Sequence, residues 1–102
     1  MTVMDQTDYV LRLASRVRHA TMKRDFDALG RLNHEVHDVV SGMATRRMLS
    51  ITEREAFELL KVAHRAAIVL LALESERLIA LMNDLDARRA GWEAYAAQGE
   101  PS

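Results

Sequence analysis

The sequence predicts an all-α fold. Aromatic residues make up only 5% of the chain and β-branched residues are sparse, good helix formers dominate, and no stretch alternates apolar and polar residues for long. The expected architecture is an antiparallel helical bundle, with two short helices packed on one long third helix and a short C-terminal tail helix. The chain has 102 residues, of which 49% are apolar and 28% charged, a balance that fits a single helical domain over 1–102 and excludes a disordered tail.

The first helix is expected over about 7–22. Val10, Leu13, Val17 and Ala20 recur at spacings of three and four and form one apolar stripe. Asp25 is then placed to cap a second helix over about 26–44. Phe26, Leu29, Asn33, Val36, Val40 and Met43 follow a heptad along it, flanked by Leu32 and Val39. Gly30 weakens it by roughly 1 kcal/mol against alanine.

The segment Arg46-Arg47-Met48-Leu49-Ser50 is the next break. Ser50 with Glu53, or Thr52 with Glu55, has the spacing of a capping box that opens a third helix. That helix is expected over about 52–90, where there is neither Gly nor Pro. One seam runs Phe57, Leu60, His64, Ala67, Leu71, Glu74, Leu78, Leu81, Leu85, Arg88, Trp92, Tyr95, alternating three and four. Residues 66–73 are apolar on every side and call for cover on more than one face. Gly91 is the one breaker near the end, so Trp92 and Tyr95 are expected on a separate tail piece over 91–102, with residues 98–102 frayed.

The lengths disagree. At 1.5 Å per residue the third helix extends roughly 60 Å and the first two roughly 25–30 Å each. Two short helices cover about half of the long one, and Leu78, Ile79, Leu81, Met82 and Leu85 lie on the remainder. Apolar surface in water is disfavoured by roughly 25 cal/mol per Å². The tail, a second copy of the chain, or another protein must cover it.

Composition narrows the chemistry. With no cysteine there are no disulfides, thiol nucleophiles or cysteine zinc sites. A net charge of −1 gives no bulk attraction to nucleic acid or an anionic membrane. The start carries no basic and apolar leader pattern, and the longest apolar run is eight residues against the roughly 20 that a spanning helix needs. The expectation is a cytoplasmic protein with no membrane insertion, no cofactor and no direct nucleic-acid partner.

Four constellations could still carry chemistry. His34 and His37, at i and i+3, could share a metal with Asp38 or His64, but they lack the i,i+4 spacing of a metalloprotease helix and are more simply surface histidines. Arg12, Arg16, His19 and Lys23, joined by Arg18 and Arg24, form a basic stripe suited to phosphate; no aromatic interleaves it for base stacking, and a solvated face that pairs with acids elsewhere is the simpler reading. Glu74, Glu76, Asp84 and Asp86 offer carboxylates, Glu74 at a seam position where a basic residue across the bundle would neutralise it. Met43, Met48 and Met82 suit either gap filling or an adaptable surface. Neither a phosphate-binding glycine loop nor a nucleophile elbow is present.

The order of features brings a family into view. An early Tyr9 on a short amphipathic helix is followed by Arg24-Asp25-Phe26-Asp27-Ala28-Leu29, the long-helix run from Leu71 to Leu85, and Tyr95-Ala96. This resembles the FliT type of flagellar export chaperone over residues 7–97. The family often has a Gly-acid-Trp-Asp-x-Leu stretch there; this chain keeps the acid, the Asp and the Leu but has Arg24 for Gly and Phe26 for Trp. An acid found later on that helix in the family is Asn33 here, with Glu35 off register. The resemblance implies a non-enzymatic, cytoplasmic type III secretion chaperone of bacterial flagellum biogenesis. Its partners would be the C-terminal helical region of the filament cap protein, the export ATPase machinery and, in some bacteria, a transcription regulator.

An amphipathic partner helix would dock on Val36, Val40, Leu71, Leu78, Leu81, Met82 and Leu85, with Trp92 and Tyr95 as a regulatory tail competing for that surface. The alternatives are a homodimeric structural or regulatory bundle and, more remotely, a small helical enzyme such as a chorismate mutase, using Arg12, Arg16 and Lys23 to clamp a dicarboxylate.

Overall fold

A computed structural model describes residues 5–46 and 48–99. The leader reading of residues 1–4, Arg47 of the second break and the last three positions of the tail lie outside them. Three helices account for nearly all described residues: α1 (Thr7–Lys23), α2 (Phe26–Ala44) and α3 (Ile51–Gly99). The fold is all-α, and the described residues contain no strand. Among them, no helix is long and apolar enough to cross a membrane.

The helix ends follow local chemistry. α1 stops at Arg24, whose φ of 55° lies in the left-handed region. The Arg24 N–H donates to the Thr21 carbonyl at 3.1 Å and the Asp25 N–H to the Ala20 carbonyl at 2.9 Å, a Schellman closure in which arginine stands where glycine is usual. The Asp25 side chain accepts from the Ala28 N–H at 3.1 Å and caps α2 as expected. At α3 the Ser50–Glu53 pair forms the capping box. Glu53 N–H donates to Ser50 Oγ at 3.1 Å, and Ser50 N–H to Glu53 Oε1 at 3.0 Å.

The chain divides into two compact units, Met1–Leu71 and Ala72–Ser102. The first contains a core drawn from all three helices. α1 contributes Val10, Leu13, Ala14, Val17 and Ala20, and α2 contributes Leu29, Leu32, Val36 and Met43. α3 contributes Ala56, Leu60, Ala63 and Ala67. Phe57 and Leu71, expected on the α3 seam, flank this core half-buried, and small alanines take the inner positions.

Polar links join the helices at the edges of the core. Tyr9 Oη donates to Glu35 Oε1 at 2.6 Å, and Arg16 Nη1 donates to the same oxygen at 3.1 Å. These bonds raise the phenol pKa and lower that of the carboxyl. Asn33, the polar residue on the α2 seam, meets His64 of α3, with Nε2 and Oδ1 2.9 Å apart.

In the second unit the described residues, 72–99, are all helical and none is buried. α3 runs through Gly91 to Gly99 in one piece, where the sequence suggests a break and a separate tail helix. Glycine costs a helix interior only about 1 kcal/mol, and the neighbouring Ala87, Ala90, Ala94, Ala96 and Ala97 are the best helix formers.

Candidate functional site

The apolar residues of the second unit make a defined face. At 3.6 residues per turn, Leu78, Leu81, Met82 and Leu85 fall within an arc of about 100°. Their side chains are 46–63% exposed, and Ile79 borders them. Because α3 is continuous, Trp92 stands one heptad beyond Leu85 on the same side of the helix. Trp92 and Tyr95 stack on each other, centroids 6.2 Å apart and planes inclined by 27°, and both remain largely exposed.

Ion pairs on the same helix accompany this face. Arg77 donates to Glu74 through Nε at 3.0 Å and Nη2 at 2.6 Å. The seam carboxylate is therefore met from one turn along its own helix, and the pairing holds the Arg77 pKa above its ordinary value. Arg88 reaches Asp84 at 3.1 Å and Arg89 reaches Glu93 at 3.2 Å, both at i,i+4.

The expected contacts of the first unit separate. Val36 is 4% exposed and belongs to the core, so it is not available to a partner. The three-helix packing buries a broad stripe of α2, and Val36 lies at its centre with Leu29, Leu32 and Met43. Val40 is at the surface, and Leu71 packs half-buried against the core. Of the methionines, Met43 fills the core while Met48 and Met82 are exposed.

One apolar surface of this unit is absent from the sequence reading. Leu11, Ala14 and Arg18 of α1 and Leu59, Val62 and Ala66 of α3 line a groove of about 250 Å³. Leu59, Val62 and Val69 are all exposed. The spacing of residues 59, 62, 66 and 69, alternating three and four, is the signal that could have found it.

The polar candidates do not assemble a reaction centre. His34 and His37 are exposed. The His37 ring approaches His64 edge-on at 6.4 Å, and His64 Nε2 is engaged by Asn33. Burial, and then repulsion from His37, lowers the His64 pKa. Among the described residues no group of three His, Asp or Glu side chains is placed to hold a metal ion. On the basic stripe, Arg16, His19 and Lys23 line one cleft with Arg31, Arg18 lines the apolar groove, and Arg12 lines neither.

Comparison with known protein families, with curated proteins and with solved structures finds no match to the chain.

Proposed function

We propose that the chain is a non-enzymatic helix-binding protein that acts as a bacterial flagellar export chaperone of the FliT type. The observation that carries this reading is the exposed face of α3 in the second unit, formed by Leu78, Leu81, Met82 and Leu85. A contiguous apolar stripe on a helix recognises another amphipathic helix through anchors at i, i+3, i+4 and i+7. Burying it recovers roughly 25 cal/mol per Å². The partner of this reading is the C-terminal helical region of the filament cap protein, with the export ATPase machinery and a flagellar transcription regulator as further partners in the cytoplasm.

Two further observations support it. The position at which the family often carries glycine is Arg24 here, and it is the positive-φ position that closes α1. The framework of the reading is an antiparallel three-helix bundle. Three links favour that arrangement: Tyr9 with Glu35, Asn33 with His64, and Arg46 with Glu53.

The test is calorimetric titration of the full chain with a peptide copying the C-terminal helical region of a filament cap protein. The expected result is one saturable site, weakened at least tenfold by Leu78→Asp with Leu85→Asp. Both side chains are exposed, so helix content should be unchanged. No binding by the unaltered chain overturns the chaperone reading.

A second reading, a homodimer, is favoured by a different observation. Leu59, Val62, Ala66 and Val69 repeat at the spacing by which two helices pair along a seam, and all four are exposed. A light-scattering mass of two chains that falls on dilution would favour it.

A further inference from the structure

We propose that the cleft between α1 and α2 is a binding site for a small, multiply phosphorylated anion. Arg16, His19 and Lys23 approach it from α1 and Arg31 from α2, around a volume of about 360 Å³. Buried Ala20 and Leu32 form part of its wall. The stripe of cations on one helix thus becomes a concave site only because α2 supplies Arg31 opposite it.

The charge balance favours an anion. Of the four basic groups only Arg16 has an ion pair among the described residues, with Glu35 at 3.1 Å. The one carboxylate lining the cleft, Asp25, is committed to the Ala28 N–H that it caps at 3.1 Å. With Arg16 paired to Glu35, Lys23 and Arg31 remain as two permanent cations in no ion pair among the described residues, beside one capping carboxylate. Guanidinium forks from Arg16 and Arg31 suit phosphate oxygens, and Lys23 adds a compact charge.

The dimensions point to more than one phosphate. Arg16 and Lys23 are separated by about 10 Å along α1, so the cationic anchors are spread along the cleft and an anion with several phosphoryl groups meets more of them than a single phosphate does. The volume falls in the range of about 300–1,000 Å³ typical of small-molecule sites. No Phe, Tyr or Trp is among the residues lining the cleft, so a nucleic-acid strand would find phosphate contacts there with only the His19 ring to stack a base on.

The experiment titrates the full chain with tripolyphosphate, inorganic phosphate and a short single-stranded oligonucleotide at low salt, followed by calorimetry and by amide chemical shifts. The expected result is one saturable tripolyphosphate site, with shifts centred on residues 16–31 and with weaker binding of inorganic phosphate. Lys23→Gln with Arg31→Gln should weaken it at least tenfold, and Lys23→Glu with Arg31→Glu should abolish it. Arg12→Gln, on the same stripe but outside the cleft, should change it less than twofold. Circular dichroism of every variant separates loss of binding from loss of fold. Absence of saturable binding overturns the site. So does equal weakening by Arg12→Gln, which would mean diffuse charge, and so does tighter binding of the oligonucleotide than of tripolyphosphate.

Discussion

Arg46 grips the buried carboxylate of Glu53 from both ends of its guanidinium, Nη1 donating to Oε2 and Nη2 to Oε1, the second at 3.1 Å. The same carboxylate accepts the backbone N–H of Ser50 at 3.0 Å and of Gln6 at 3.2 Å. The second break, the start of α3 and the approach to α1 thus converge on one side chain that is 1% exposed. A buried charge is tolerable only when it is paired and hydrogen-bonded, and this one is both.

Acid stability follows from that arrangement. The Arg46 bonds first, and then the Ser50 N–H, lower the Glu53 pKa from 4.5 to about 2. The unfolded chain takes up this proton near 4.5, the folded chain only near 2. The stabilisation is complete above pH 4.5 and is lost as pH falls from there to about 2. Urea midpoints measured between pH 6 and 2 should fall across that window. Arg46→Met should lower stability at pH 6 and flatten the acid slope; an unchanged slope would mean that the clamp is not its source.

Arg24 offers the opposite kind of change. A non-glycine residue in the left-handed region costs roughly 1–2 kcal/mol, and glycine removes that cost while loosening the unfolded chain. Arg24→Gly should therefore stabilise the protein by about 1 kcal/mol, read as a higher urea midpoint at unchanged slope. The Arg24 guanidinium has no ion pair among the described residues to set against this gain.

His64 sets a second pH window, separate from that of Glu53. Its pKa lies below 6.5 because burial, and then His37, disfavour the imidazolium. The unfolded histidine binds its proton at the ordinary value, so the stability present above pH 6.5 declines as pH drops through the lowered folded value. The bond to Asn33 Oδ1 also places a proton on Nε2 in the neutral ring. His64→Leu should remove the His64 contribution to the slope between pH 7 and 5. It should also cost about 1–3 kcal/mol at pH 7 by leaving Asn33 without its partner. Urea denaturation at the two pH values reads both effects.

What was legible in the sequence is local. Asp25 before Phe26, and Ser50 three residues before Glu53, announce caps because both partners lie within one turn. The stripe Val10, Leu13, Val17 and Ala20 is buried as its period implies. What was not legible depends on packing. The clamp on Glu53 joins residues 7 and 47 positions away in the chain, and no spacing rule reaches them. On α3 the inner positions are Ala56, Ala63 and Ala67, whose small side chains let helices approach, whereas a hydrophobicity pattern favours the larger Phe57 and Leu71 that flank them. Val36 and Val40 fit one heptad equally well, and only the third helix separates core from surface. Gly91 suggested an end because glycine is a stop signal, yet the alanines around it outweigh one residue's propensity.

The continuity at Gly91 changes what truncation should do. A tail that folded back over the apolar face would need the helix to open there, and removing it would free the surface and tighten binding of the cap-protein peptide. In the unbroken helix, Trp92 instead extends the stripe of Leu78, Leu81 and Leu85 by one heptad, and its indole is 70% exposed. A large aromatic at the end of a docking face is the type of side chain that dominates binding energy. Removing the residues after Ala90 should therefore weaken peptide binding about tenfold, and Trp92→Ala in the full chain should account for most of the loss. Tighter binding after truncation would show that the segment acts as a cover, with Trp92 and Tyr95 competing for the apolar face rather than extending it.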